Sequence, residues 1–464
     1  MRIDGPVTGG ERGWPFGASV RDLAEDGYLE EEFFLEGDAR LFSLADGTDY
    51  RSDGRWAVVE RDVAPFRTRF LVRRPIDRTR FNGVVVVNWN NVSAGFEFLG
   101  GAGAEIVASG CAWVGASAQR VGIHGHPFLA PPRGLATWDE ARYGALSIPD
   151  DDASFDIFTQ IARAVGPDRV AGDVDPMGGL VVEHVLAFGA SQSANRLATY
   201  YNAIQPESGA FDGFLLAVYS GGGTRVDALG PGPSPPQIPE EARAVVNILP
   251  FGSHRLRDDI DARAFVLNSE TEAGWYHPVR QADSDTYRLW EVAGAAHSGV
   301  GSADDDSAAQ LARDVGVLPG DVAGLAAKSN PNTVTFRPVT DAALHHLFAW
   351  VRSGVAPPVQ DRIEFSDEPP AIVRDAHGNA RGGIRLVELD VPTATHVGAS
   401  PDGLPDLSGS STPFTPEELR ALYADHDTYV ARVDDAIANG VERGYYLRRD
   451  VDALHERADA EPVP

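Results

Sequence analysis

Short, unbroken apolar runs recur along the chain: Gly83 to Val87, Ala112 to Ala116, Val185 to Phe188, Phe214 to Val218, Ala264 to Leu267 and Leu289 to Val292. A run without polar alternation suits a strand covered on both faces, which is the situation in parallel sheets. Between these runs lie stretches with helical character, Ala102 to Ser109, Ser154 to Val165, Gln192 to Ile204 and Asp341 to Ser353. Alternation of strand and helix predicts an α/β fold with a mostly parallel central sheet and helices on both faces. The region from Glu30 to Arg74 differs, because apolar and polar residues alternate with Gly and Asp between the runs. That pattern predicts antiparallel strands.

Two long segments interrupt the rhythm. Residues at about 121–152 are rich in His, Pro and Asp, and those at about 221–263 open on a Gly run and contain Pro231-Gly232-Pro233-Ser234-Pro235-Pro236. Insertions of this length read as lids, binding loops or linkers. After Pro358 the sequence becomes loop-like, with one amphipathic stretch, Thr415 to Asn439, that reads as one or two helices. The expected organisation is a catalytic domain over 1–355 and a C-terminal extension over 356–464 that packs on it.

Bulk properties remove several function classes. With 464 residues, 43% hydrophobic and 23% charged, the chain has the composition of an ordinary globular protein. No apolar run reaches the roughly 18 residues of a membrane helix, and the N-terminus lacks a basic segment followed by an apolar stretch, so a cytoplasmic location is the expectation. Asp plus Glu number 68 against 40 Lys plus Arg, a net charge of -28, and Lys328 is the sole lysine. Such a surface repels phosphate backbones and anionic lipids, so neither nucleic acid nor membrane is an expected partner. Cys111, the single cysteine, lies in an apolar run and reads as a buried, inert thiol.

The chemistry concentrates at one turn. The strand Val185 to Phe188 runs into Gly189-Ala190-Ser191-Gln192-Ser193-Ala194, and a helix starts near Gln192. Strand, tight turn of small residues and helix make a nucleophile elbow, where bulky neighbours would clash and the helix N-terminus faces developing negative charge. The usual last position of this pattern is glycine, and here it is Ser193.

Partners in the order serine, acid, histidine follow downstream. The run Phe265-Val266-Leu267 leads to Asn268-Ser269-Glu270-Thr271-Glu272, and the next strand leads through Ala293-Gly294-Ala295-Ala296 to His297. Ser191 would attack a carbonyl carbon, His297 would act as general base, and a carboxylate would orient the imidazole. Glu272 is the first choice of acid and Glu270 the alternative, since a two-residue shift of the strand end exchanges them; Asp283 and Asp285 are remoter. His297 has a better case than His124, His126, His254 or His277. The oxyanion hole would combine the N–H of Gln192 with that of Asn91 or Val92, in the loop after the early strand. Trp138, Tyr143, Trp275 and His277 are candidate lining for a substrate pocket, although for each of them core packing is the simpler role.

At these residues the chain resembles the bacterial alpha/beta hydrolase domain-containing proteins, a group of serine hydrolases without a well-defined substrate. The matching segments span nearly the whole length, among them Pro6 to Gly10, Glu31 to Phe34, Val72 to Pro75, Val86 to Ser93, Ala141 to Gly144, Phe155 to Phe158, Gly189 to Ser193, Leu289 to His297 and Gly378 to Arg385. The resemblance implies Ser191 as nucleophile, His297 as base and an acid at the second carboxylate of Ser269-Glu270-Thr271-Glu272, where many relatives carry aspartate. With acyl transfer as the reaction type, a small-molecule, ester-like substrate is the default expectation, and no cofactor is expected.

Other readings are weaker. A metal hydrolase would use His124-Gly125-His126 with Asp150-Asp151-Asp152, but no convincing ligand spacing accompanies them, and the acidic run reads as a solvated loop. Gly100-Gly101-Ala102-Gly103 lacks the third glycine of a dinucleotide fingerprint. A non-catalytic binding protein on a hydrolase scaffold is the rival of a different class, while amidase and acyltransferase share the same triad.

Overall fold

The computed structural model describes residues 1–99, 103–126, 133–169, 172, 174–227, 251–300, 305–317, 328–399 and 406–463. Most of the second long insertion and all but one of the fingerprint-like glycines at 100–103 therefore lie outside the described residues. The chain forms two compact units, one of Met1–Ala264 with Asp305–Leu318, the other of Phe265–Asp304 with Pro319–Pro464.

In the first unit the strands β1 (Arg2–Asp4), β2 (Tyr28–Leu44), β3 (Val58–Pro75), β4 (Val84–Trp89), β5 (Ala112–Ala116), β6 (His184–Ala190) and β7 (Gly213–Ala217) run in the sheet order β1-β2-β3-β5-β4-β6-β7. The β5-β4, β4-β6 and β6-β7 pairings are parallel. The wing β1-β2-β3 is antiparallel and joins β5 antiparallel. The sequence pattern explains the division. Every residue of β4, β5 and β7 is buried, so each of these strands reads as a continuous apolar run, whereas β2 mixes buried and partly exposed positions as a half-covered antiparallel strand does.

Helices α1 (Ala104–Ser109), α2 (Ser154–Val165) and α3 (Gln192–Thr199) fall where helical character was expected. The turn after α1 requires glycine: Gly110 has φ +74, and a Cβ there would lie 1.9 Å from the Arg80 carbonyl oxygen. Phe155 and Phe158 of α2 meet Trp89 at ring distances of 5.9 and 4.6 Å. The helix beginning at Gln192 changes to a π-helical segment over Tyr200–Ile204.

In the second unit β8 (Arg263–Ser269), which starts at the unit boundary, leads into α4 (Glu270–Tyr276), and β9 (Tyr287–Val292) follows. Helix α5 (Asp305–Val315) belongs to the first unit; α6 (Arg337–Ser353), α7 (Pro416–Leu422), α8 (His426–Arg443) and α9 (Val451–Asp459) belong to the second, with a small antiparallel sheet of β10 (Ala394–Val397) and β11 (Ser410–Pro413). The stretch Thr415 to Asn439 thus forms two helices.

The compact units do not divide at 355/356. The segment after Pro358 is woven into β9: Ile384 N–H donates to Glu291 O at 2.7 Å, Ala293 N–H to Ile384 O at 3.0 Å, and Trp290 Nε1 to Pro358 O at 2.8 Å. Loop-like composition concealed a region whose hydrogen bonds run to a strand far back in the sequence.

Two expectations are corrected. The described part of the first insertion is scaffold: Tyr143, Leu146 and Ile148 are core residues. Nor is the acidic run a solvated loop, because Asp151 and Asp152 are 1% and 0% exposed. They are ion-paired with Arg196 at 2.9 Å and Arg61 at 2.6 Å. A buried carboxylate is tolerated when paired and hydrogen-bonded, and nothing in the local sequence announces partners so distant.

Candidate active site

Strand β6 delivers Ser191 to the head of α3. Ser191 is a non-glycine residue with positive φ, 61° with ψ -121°, a conformation that costs about 1–3 kcal/mol and persists only where the surroundings enforce it. Its N–H donates to Ala217 O at 3.0 Å at the end of β7, and its own carbonyl accepts from Asn195 N–H at 3.1 Å, the start of the helical ladder. Small neighbours are required: a Cβ on Gly189 would stand 2.9 Å from the Ser193 carbonyl oxygen and from Leu197 Cδ1. Val218, next to the acceptor, also has positive φ, at 46°. Two strained residues beside each other on adjacent strand ends mark this rim of the sheet.

Behind the elbow lies a buried polar network. Gln192 Nε2 donates to Gln119 Oε1 at 3.0 Å, which also accepts from Trp89 Nε1 at 2.9 Å. Gln119 Nε2 in turn donates to Asp151 Oδ2 at 2.9 Å, and the other Asp151 oxygen accepts from Arg120 N–H at 2.7 Å. Arg196 reaches the same carboxylate, while its Nε and Nη1 have no hydrogen-bond partner among the described residues. Burial pulls the Arg196 guanidinium below its usual pKa, opposed by Asp151 and Asp152, which favour its charged form.

The oxyanion candidates separate. Gln192 is the first residue of α3, where backbone N–H groups have no intrahelical partner. Asn91 N–H is committed to Phe98 O at 2.9 Å, closing the loop 91–98, so the expectation that it supplies an oxyanion donor is corrected and Val92 is the backbone candidate left. The Asn91 side chain instead donates to Ala190 O at 3.1 Å, fastening that loop to the residue before Ser191.

In the second unit His297 Nδ1 lies 2.6 Å from Glu272 Oε1. Glu272 is the third residue of α4, and its other oxygen accepts from Ser269 Oγ at 2.5 Å and Ser269 N–H at 3.2 Å in a capping box. A carboxylate only accepts, so the Nδ1 proton sits in this contact and Nε2 is left as the basic nitrogen. The His297 N–H is held by Thr271 Oγ1 at 3.0 Å, and that hydroxyl donates to Gly398 O at 2.6 Å. Glu270 is occupied elsewhere: it meets Arg374 Nη2 at 2.8 Å and accepts from Gly294 N–H at 2.7 Å. Between the two glutamates, Glu272 is the one paired with His297. Asp283 is tied to Arg362 at 2.9 Å.

The four pocket candidates are held in different ways within their own units. Tyr143 is fully buried, its hydroxyl donating to Glu32 Oε1 at 2.8 Å and accepting from Phe16 N–H at 2.9 Å. Burial pushes its pKa up. Trp138 donates from Nε1 to Asp314 O at 2.7 Å and meets Phe16 edge-on at 5.1 Å. Both make packing contacts within the first unit, with Tyr143 buried and Trp138 half-buried. His277 stacks on Phe365 at 4.3 Å, and Trp275 is 39% exposed on α4. Of the weaker histidines, His124 accepts from Ile148 N–H at 3.3 Å. The Cys111 thiol is buried, and burial raises its pKa.

Sequence reasoning missed Gln119, Asp151, Arg196 and Ser269. Only Ser269 carried a signal, the Ser-x-x-Glu spacing of a capping box. Among the described residues no group of three or more His, Cys, Asp or Glu is placed to hold a metal ion, and no helix is long and apolar enough to cross a membrane.

The profile of the alpha/beta hydrolase domain family matches residues 3–456. No curated protein matches the chain by sequence. Among solved structures, an esterase from Aspergillus oryzae is similar at 11% identity over 77% of this chain and 93% of that one, with a TM-score of 0.31. The esterase Est22 is 11% identical over 56% of this chain and 71% of its own, TM-score 0.25. A prolyl endopeptidase is 12% identical over 57% of this chain, with TM-score 0.28, and only 35% of its own length is covered. Likenesses of this size carry no argument about activity. Matched by the family profile over almost its whole length and built on an α/β sheet, the chain belongs to the alpha/beta hydrolase domain family.

Proposed function

We propose that the protein is a serine hydrolase that cleaves a carboxylic ester or lactone through an acyl-enzyme, with Ser191 as nucleophile, His297 as general base and Glu272 as acid. The observation that carries this reading is the conformation of Ser191, a serine held at φ 61° between a strand and a helix head, a costly backbone conformation for a non-glycine residue. The 2.6 Å Glu272–His297 contact supports it independently.

In the reaction Ser191 Oγ attacks the carbonyl carbon as His297 Nε2 takes its proton. The backbone N–H groups of Gln192 and Val92 receive the developing oxyanion. The tetrahedral intermediate collapses, His297 returns the proton to the departing alcohol, and water repeats the sequence to release the acid. Glu272 keeps the imidazole in the required tautomer and stabilises its cation.

Labelling with a fluorophosphonate and mapping of the modified residue tests the assignment. A single label on Ser191, absent from Ser191→Ala, is expected; a label on another serine overturns it. A panel of esters, lactones and amides then reads the bond preference, with turnover of amides alone removing the ester assignment.

A further inference from the structure

The two oxygens of Glu272 are committed in different directions. Oε1 faces His297 Nδ1 at 2.6 Å, while Oε2 takes the Ser269 hydroxyl at 2.5 Å and the Ser269 N–H at 3.2 Å. Ser269 and Glu272 are both 0% exposed. An ordinary capping box lies at a helix end in water, where the carboxylate of the third residue can turn freely between its partners and solvent. Here water is excluded, so the direction of Oε1 depends on what grips Oε2. The neighbouring Glu270 cannot substitute, because Arg374 and the Gly294 N–H hold it.

We propose that Ser269 is a positioning residue for the triad: its hydroxyl fixes the rotation of the Glu272 carboxylate and so presents Oε1 to His297 Nδ1. One hydroxyl thereby caps α4, accepting from Thr271 N–H at 3.2 Å, and orients the base by donating to Glu272. The inference deepens the serine-hydrolase reading and rests on it for its catalytic meaning, although the contact itself can be tested without turnover.

Glycine is nearly as good as serine at a helix N-cap, so Ser269→Gly removes the hydroxyl with little loss of the cap, and Ser269→Thr restores a hydroxyl. The first readout is the low-field proton resonance of His297 Nδ1–H, assigned by its absence from His297→Gln. It should be present in the parent and in Ser269→Thr, and lost or moved upfield by about 1 ppm or more in Ser269→Gly, as the bond to Oε1 loosens. The second is the split of kinetic constants: Ser269→Gly should lower kcat about tenfold or more at little-changed KM, since misorientation acts on the transition state, and Ser269→Thr should recover most of it.

A resonance and kcat in Ser269→Gly equal to the parent's overturn the proposal, as does a fall in kcat with the resonance unmoved, which signifies a packing role. Should the glycine variant fail to fold, Ser269→Ala takes its place in both measurements. Failure of the hydrolase reading is seen separately, as a parent protein that takes no label at Ser191; the resonance then decides the Ser269–Glu272–His297 contact alone.

Discussion

Around Ser191 the supporting side chains include a buried ion pair, and what they support is a strained backbone turn. Asp151 and Arg196 are 1% and 0% exposed and are linked through Gln119 to Gln192, so a pair of buried charges stands behind a strained turn. Around His297 the support is of another kind. A helix cap orients the Glu272 carboxylate, a threonine hydroxyl holds the His297 backbone N–H, and the carboxylate in turn meets the imidazole. A nucleophile that must occupy a costly conformation calls for a stiff, expensive mounting, because nothing in its own side chain can hold it there. A general base needs only its ring plane and tautomer fixed, which short local hydrogen bonds accomplish.

The largest effects should fall on the reacting groups. Ser191→Ala should reduce kcat by about 10³–10⁶ with the fold intact, and Glu272→Gln by about 10³–10⁴ through loss of the correct tautomer and of cation stabilisation; single-turnover kinetics and circular dichroism read both. Next comes Asp151→Asn, which removes the carboxylate ion-paired with the buried Arg196 and should destabilise the protein by about 3–5 kcal/mol. Chemical denaturation measures it. A variant that kept full stability and lost only kcat would break the comparison, since Asp151 would then act on the chemistry and not on the mounting.

Tyr143→Phe sharpens it further. Removing a hydroxyl buried between Glu32 and Phe16 N–H should cost about 1–3 kcal/mol, with the specificity constant unchanged across an ester panel. The smallest effect concerns His396 in the second unit, whose pKa burial lowers from 6.5. The unfolded chain then binds a proton that the folded chain refuses, so stability falls as pH drops below about 6.5 and is restored above it. Denaturation midpoints at pH 7.5 and 5.5 should differ more in the parent than in His396→Gln.

Much of the fold was legible because its signals are local. The burial of β4, β5 and β7 on both faces shows as unbroken apolar runs, and the β2–β3 ribbon shows as alternation. The elbow was legible for the same reason: Gly189, Ser191 and the start of α3 are adjacent, and small residues between a strand and a helix have few other uses. The acid could be ranked, Glu272 ahead of Glu270, but not fixed, because the outcome depends on which of them Arg374, 104 residues from Glu270, removes from the competition. The role of Asp151 was misread, since an acidic run after proline looks the same whether water or Arg196 solvates it.

By itself the sequence determined the alternation of elements, the strand–turn–helix at Ser191 and the loop that carries His297, all of which follow from the period of apolar residues and from turn chemistry within a few positions. Only the tertiary structure decided that Glu272 and not Glu270 meets the imidazole, that Val92 and not Asn91 keeps a backbone N–H uncommitted to Phe98, and that Tyr143 belongs to the scaffold. The physical reason is common to all three. Whether a polar group is available for chemistry depends on whether another part of the chain has already satisfied it, and such partners are as much as 127 residues away, as Phe16 is from Tyr143.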